Sequence, residues 1–276
     1  MLYVKGKEVI TIYLLNSDIV NNFYKLKKEF ERIKNLNYIR GISNNKNASG
    51  FTFEKELNST SGDLCIPDFK NIEIKVLRNY DYASITLFSS APDGNIPLAT
   101  KWLTKNYGTP ISEFDGMNSL VCKLSGSKMY RLNSYKFIIE IDYIKCKVIL
   151  KIYNTKNVLI NNDIYWDFDT LESKLKSKLS YLAIVNSKKK ILNSLVYYAY
   201  TDLKCYKLKS FSTFLKLLET GIITLNIKTG VYKSGPYKGK FHDHGVSFCI
   251  NKNNILKLFR NLNSTKGTQI RFFITY

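Results

Sequence analysis

The chain predicts a fold of the α/β or α+β class, with strands and helices mixed along one 276-residue polypeptide. Three observations carry this. Residues 17–35, SDIVNNFYKLKKEFERIKN, place Ile19, Phe23, Leu26, Phe30 and Ile33 at helical spacing. Residues 134–154 hold two alternating runs, SYKFIIEIDYI and CKVILKIYN, which read as a hairpin or two neighbouring strands. Helix-type and strand-type periods then keep exchanging to the C-terminus, with no repeat, low-complexity tract or clear linker between them.

The elements follow in order. Ser17 or Asp18 is placed to cap the first helix. The loop ISNNKNASG leads into a short helix through Phe51, Phe53 and Leu57, with Ser49 as its expected cap, ended by the polar turn NSTSGD. Residues 71–77 read as a strand, NYDY as a turn, and SITLFSSAP as the next strand, ending at Ala91 and Pro92. In DFDTLESKLKSKLSYLAIV, an Asp cap at 167 or 169 precedes a helix face of Leu171, Leu175 and Leu179. SKKK (187–190) reads as a solvated loop or a phosphate contact, and YYAYTDLKCYKL as a strand. SFSTFLKLLETG is a helix closing at Gly221. Residues 222–250 read as strand, glycine-rich loop, strand. NNILKLFRNL is the expected last helix and QIRFFITY a final strand.

Bulk composition narrows the class. At 45% hydrophobic and 14% aromatic residues the chain is expected to bury a substantial core. Against 22 Asp and Glu stand 42 Lys and Arg, a formal charge of +20. Self-repulsion of that size disfavours a compact state unless a partner neutralises it, which points to nucleic acid or an anionic membrane surface, with solvated lysines of a lysine-rich chain as the plain alternative. No apolar run approaches the ~20 residues of a membrane span, and the N-terminus does not read as a signal peptide. The 5 cysteines are scattered without a CxxC pair, so neither a zinc ribbon nor a disulfide framework is suggested, and a reduced, cytoplasmic protein is expected.

The most informative stretch is IPDFKNIEIKV, residues 66–76. In IEIKV, strand alternation sends Glu73 and Lys75 to one face and Ile72, Ile74 and Val76 to the other. Asp68 stands where the chain enters the strand. Two carboxylates held together repel unless a cation or proton compensates them, and a hard divalent ion such as Mg²⁺ suits oxygen ligands. An ammonium beside them can orient a water or stabilise charge on a phosphate. Metal, water and ammonium together suit phosphodiester hydrolysis. A bare D…ExK spacing also arises on ordinary solvated strands. Upstream, Glu54 on the short helix offers a third carboxylate.

These residues carry a family resemblance. GFTFE (50–54), PDFKNIEIK (67–75) and SITLFSSAP (84–92) resemble the MvaI/BcnI restriction endonucleases, within the PD-(D/E)xK nucleases and related to the mismatch-repair enzyme MutH. The resemblance is close over about 38–110, looser over 160–260, and poor between. It implies a restriction-endonuclease-like mixed central sheet flanked by helices, in one nuclease domain over 1–276. A catalytic lobe (about 38–160) and a recognition lobe (about 161–262) would flank a cleft for double-stranded DNA. It implies a monomer with one active site. Asp68 and Glu73 would ligate Mg²⁺, Glu54 would support that site, and Lys75 would stand at the attacking water and scissile phosphate. A cognate DNA methyltransferase would complete a type II restriction system.

FHDHG (241–245) holds both histidines of the chain. Three readings stand open: a metal site, a polar hairpin turn, and a DNA contact. The preceding loop carries Tyr232, Lys233 and Lys238, with Lys228 just before it. Such lysines can meet phosphates while His242, Asp243 and His244 read base edges. The loop with Arg40, Asn45 and Lys46 is a second candidate contact or a plain polar turn. Two further functions compete with the restriction enzyme: a MutH-like strand-nicking repair endonuclease, and a catalytically silent basic DNA-binding protein.

Overall fold

The computed structural model describes residues 2–5, 8–11, 17–45, 47–57, 67–78, 84–94 and 96–263, the first two segments as backbone only. Strands β1 (Leu2–Lys5) and β2 (Glu8–Thr11) pair with each other, followed by α1 (Ser17–Asn35), β3 (Ile39–Arg40), α2 (Ala48–Glu56), β4 (Glu73–Arg78) and β5 (Ser84–Ser89). Next come α3 (Ala99–Tyr107), β6 (Thr109–Pro110), β7 (Asn118–Leu124), β8 (Tyr130–Leu132), β9 (Tyr135–Asp142), β10 (Lys147–Asn154) and β11 (Leu159–Asp167). The chain continues through α4 (Phe168–Leu179), β12 (Tyr181–Leu192), β13 (Leu195–Leu208), α5 (Phe211–Glu219), β14 (Ile223–Val231) and β15 (Phe241–Asn251). A 3₁₀ turn (Lys252–Asn254), α6 (Ile255–Leu258) and β16 (Phe259–Asn261) follow. This is the expected α+β mixture.

The chain forms two units, each assembled from separated segments. The first comprises 1–82, 176–209 and 259–276, the second 83–175 and 210–258. They interleave along the sequence, where continuous stretches of about 38–160 and 161–262 were anticipated.

In the first unit the sheet order is β16-β13-β12-β4, with β3 also paired to β13. β4 runs parallel to β12 and the other pairs are antiparallel. One face of this mixed sheet is covered by apolar side chains of α1 and α2. Leu26, Phe30, Ile33 and Phe53 pack with Ile72, Ile74, Ala183, Val185, Tyr198 and Tyr200. Burial of such side chains is worth roughly 1.5–3 kcal/mol each before entropy is counted, so this face fixes the register of β4.

The second unit holds two antiparallel sheets, β5-β15-β14-β7-β6 and β11-β10-β9-β8. Phe88, Phe214 and Phe248 form an aromatic cluster with ring centroids 5.0–5.7 Å apart. Trp166, fully buried, joins it at Phe248 and donates its indole N–H to Ser90 O at 2.9 Å.

Several expectations are corrected. Ser49 lies inside α2 and is buried, while Asn47 precedes the helix without a side-chain capping bond. YLAIV leaves the helical period after Leu179 and enters β12, because it forms the partner strand of β4. SKKK is strand, not loop. NNILKLFRNL divides into a 3₁₀ turn, one helical turn and β16, since Phe259–Asn261 pair with Leu208–Tyr206. The strand read as 71–77 begins at Glu73, after a turn at Lys70 and Asn71, both at positive φ. The turns at 58–63 and 79–82, and the strand QIRFFITY, lie outside the described residues.

Candidate active site

The first unit brings the acidic strand residues together. Edge strand β4 presents Glu73 and Lys75 on the face opposite its core-facing Ile74. Lys75 Nζ donates to Glu73 Oε1 at 2.5 Å, so strand alternation has placed them side by side. Asp68 immediately precedes the turn closed by the Phe69–Ile72 bridge, and its Oδ2 accepts the Ile74 N–H at 2.8 Å. Glu54, half-buried on α2, stands within electrostatic range of Asp68, Glu73 and Lys75.

Glu73 is the tightest point. Its side chain is 1% exposed. Burial, with Asp68 nearby, pushes its pKa above the ordinary carboxylate range, while Lys75 and Lys178 pull it down. Glu54 is likewise raised, first by burial and then by Asp68. Lys178, in the last turn of α4, brings its ammonium 3.6 Å from Glu73 Oε1. The sequence reading missed it. Lys178 belongs to a lysine-rich run, ESKLKSKLS, in which nothing local singles out the lysine that reaches Glu73.

Glu73 Oε2 is buried and has no hydrogen-bond partner. A buried carboxylate oxygen left unpaired is costly. Its setting among further oxygen donors fits a hard divalent cation. Among the described residues, no three His, Cys, Asp or Glu side chains already converge as a ligand set. In this arrangement the ammonium of Lys75 and the backbone of β4 hold part of the donor set. Asp68, Glu73 and Glu54 are the residues present to receive the ion.

The other candidates are distributed between the units. Arg40 is exposed on β3, paired with Tyr197, and Asn45 is exposed in the loop before α2; Lys46 lies outside the described residues. In the second unit, His242 stacks on Tyr232 with centroids 3.9 Å apart and planes 10° from parallel. His244 follows at 3.9 Å from His242. Asp243 is engaged internally: Thr100 Oγ1 donates to Oδ2 at 2.5 Å and the Gly245 N–H to Oδ1 at 2.7 Å. These bonds tie β15 to α3 and shape a bulge within β15 at Gly245, which has φ +84°, so FHDHG is strand and not the polar hairpin turn that was one of its readings. Lys228, Lys233 and Lys238 are exposed.

Among the solved structures that resemble the chain are two of one restriction endonuclease. "Restriction endonuclease MvaI-cognate DNA substrate complex" matches with a TM-score of 0.79 and 31% identity, covering 86% of this chain and 96% of that one. "Restriction endonuclease MvaI in the absence of DNA" matches with a TM-score of 0.56 and 30% identity, covering 87% and 96%. No curated protein matches by sequence. The class defined by these likenesses is the type II site-specific deoxyribonuclease. The model of the MvaI/BcnI restriction endonuclease family matches residues 27–259, and the chain belongs to that family.

Proposed function

We propose that this type II endonuclease hydrolyses phosphodiesters of double-stranded DNA with Mg²⁺ at a single PD-(D/E)xK site in each chain. The observation that carries the reading is the buried, unpaired Oε2 of Glu73 beside Lys75, Asp68 and Glu54. Asp68 and Glu73 would hold the ion, with Glu54 supporting the site. Bound there, Mg²⁺ supplies Lewis-acid polarisation of a phosphate oxygen and lowers the pKa of a bound water. Lys75 orients the attacking water and offers charge to the phosphate. The new bond joins water oxygen to phosphorus, the bond to the leaving sugar oxygen breaks, and that oxygen takes a proton.

The structural likeness to a DNA complex and the +20 formal charge support duplex DNA as substrate. We assign the first unit, which holds β4, to catalysis. The second unit, with the Tyr232–His242–His244 stack and exposed Lys228, Lys233 and Lys238, is assigned to recognition. Arg40, Asn45 and Lys46 would add contacts from the catalytic side. Asp243 shapes the β15 bulge through its internal bonds, leaving the imidazoles as the base-reading groups. The enzyme would act as a monomer in the cytoplasm, alongside a cognate methyltransferase that protects host DNA.

Digestion of unmethylated supercoiled plasmid, with Mg²⁺ or EDTA, tests this. Discrete Mg²⁺-dependent fragments, lost in Lys75→Ala and Glu73→Ala, are expected. Nicked circles without linear product would instead indicate a strand-nicking enzyme. Absence of cleavage with salt-sensitive binding retained would indicate a silent DNA-binding protein.

A further inference from the structure

β12 and β13 run on well past the catalytic strand. β4 ends at Arg78, opposite Ser187, whereas β12 continues to Leu192 and turns into β13 at Leu195. Asn193 and Ser194 close the hairpin with φ of 49° and 61°, the backbone of a tight two-residue turn. Residues 188–192 are all exposed, and no Asp or Glu occurs between Ser187 and Tyr200.

Register defines the two faces of this projection. Ala183 and Val185 of β12 and Val196 and Tyr198 of β13 face the core. On β12, Ile184 lies beside Lys75, and the alternate positions that follow are Asn186, Lys188 and Lys190. The bulge at Asn186/Ser187 is compensated on β13, where Tyr200 and Asp202 are the partners, so β12 itself keeps its alternation. Lys188 and Lys190 therefore share the sheet face of Glu73 and Lys75. Lys190 also lies opposite Tyr197, which lies opposite Arg40 on β3. One row thus holds an ammonium, an aromatic ring and a guanidinium, with Lys190 Nζ 5.5 Å from the Tyr38 ring as well.

At about 3.3 Å per residue, Lys188 and Lys190 lie roughly 13 and 20 Å along the strand from Lys75. At about 3.4 Å per base pair, that corresponds to about four to six base pairs from the phosphate at the active site. We propose that the β12–β13 hairpin is an arm that grips the phosphate backbone of duplex DNA flanking the cut on one side, through Lys188, Lys190 and Arg40. The assignment rests on catalysis at Glu73 and Lys75. Lysines on a projecting strand also guard against pairing with another chain, a role that would leave DNA binding untouched.

The test uses the full chain in EDTA and fluorescent duplexes carrying the mapped cut site. The duplexes are truncated to about three base pairs on one side of the cut, on the other, or on neither. Anisotropy titrations across a salt series compare wild type, Lys188→Ala/Lys190→Ala and Lys188→Arg/Lys190→Arg. On the untruncated duplex the alanine variant should bind about tenfold or more weakly, with a log–log salt slope shallower by about 1.8, the value for two lost phosphate contacts. Truncation on one side only should erase that difference, and the arginine variant should bind as wild type. With Mg²⁺ and saturating enzyme, the alanine variant should cut at the wild-type single-turnover rate. Unchanged affinity and slope in the alanine variant, or an equal loss on all duplexes, overturns the arm. Wild-type cleavage with unchanged variant binding condemns the arm alone, whereas failure of wild type to cut any DNA condemns the nuclease reading on which its placement rests.

Discussion

Lys178 Nζ lies 3.6 Å from Glu73 Oε1, the same oxygen that accepts a hydrogen bond from Lys75. Two ammonium groups from different elements thus hold one edge of a buried carboxylate and leave its other oxygen open. Lys75 shares the strand of Glu73, whereas Lys178 ends a helix, where a cation also meets the negative end of the helix dipole. The arrangement keeps Glu73 oriented and biased towards its charged form in a place that burial would otherwise make hostile to charge.

Replacing Lys178 with Ala should lower kcat about tenfold while DNA affinity changes little. One of the two cations that favour ionised Glu73 is then lost, so its pKa rises further above the carboxylate range. Cleavage needs the ionised form, so the acid limb of the pH–rate profile moves to higher pH, and Lys178→Arg should restore it. A profile that only scales down, with no displacement of its acid limb, would limit Lys178 to a structural role.

Mg²⁺ should raise the melting temperature of the wild-type protein and not that of Asp68→Asn/Glu73→Gln. Ligand binding to the folded state alone stabilises by about 2.7 kcal/mol at one hundred times Kd. Differential scanning fluorimetry across a Mg²⁺ series reads this without DNA. Equal shifts in both proteins would place the ion elsewhere.

Much of this site was legible from strand alternation, because a half-buried strand has a period of two and IEIKV obeys it. Pro67 and Asp68 read as the entry to the strand, whereas the turn at Lys70 and Asn71 between them and β4 was missed. What could not be read was long-range. Nothing near YLAIV announces that it leaves α4 to become the parallel partner of β4, since a short apolar run fits either element. The antiparallel pairing with β13 draws SKKK into a strand that a local view leaves as loop. Lys178 escaped for the same reason. Helix α3 was missed because Thr100 and Thr104 occupy buried positions of its apolar stripe. There Thr104 bonds Thr229 across the unit at 2.6 Å.

Helix α2, which carries Glu54, is anchored from β13. Tyr200 donates its hydroxyl to Ser49 O at 2.9 Å, and its ring packs 4.8 Å from that of Phe53. Tyr200→Phe should cost about 1 kcal/mol of stability and a few-fold in kcat. Phe53→Ala, which opens a cavity in the core, should cost about 3–5 kcal/mol. Chemical denaturation with parallel cleavage assays separates the two. Full activity in a destabilised Tyr200→Phe would show that Glu54 does not depend on this anchor.

His244 should titrate below an ordinary histidine. Burial disfavours its charged form, His242 and Lys228 add repulsion, and Asp243 opposes them only in part. With the folded pKa depressed, the unfolded chain binds the proton first as pH falls. The stability that neutral His244 contributes is therefore complete above about 6.5 and declines as pH drops from there towards the folded value. Imidazole NMR should follow this directly. His242→Gln removes the larger of the two repulsions and should move the His244 midpoint upwards, with a smaller rise in Lys228→Ala. Because His242 lies between Tyr232 and His244 in the stack, its removal should also weaken DNA binding more than removal of His244 does. A His244 midpoint indifferent to both substitutions would mean that burial alone sets it, and that the two neighbouring imidazoles do not act as one electrostatic unit.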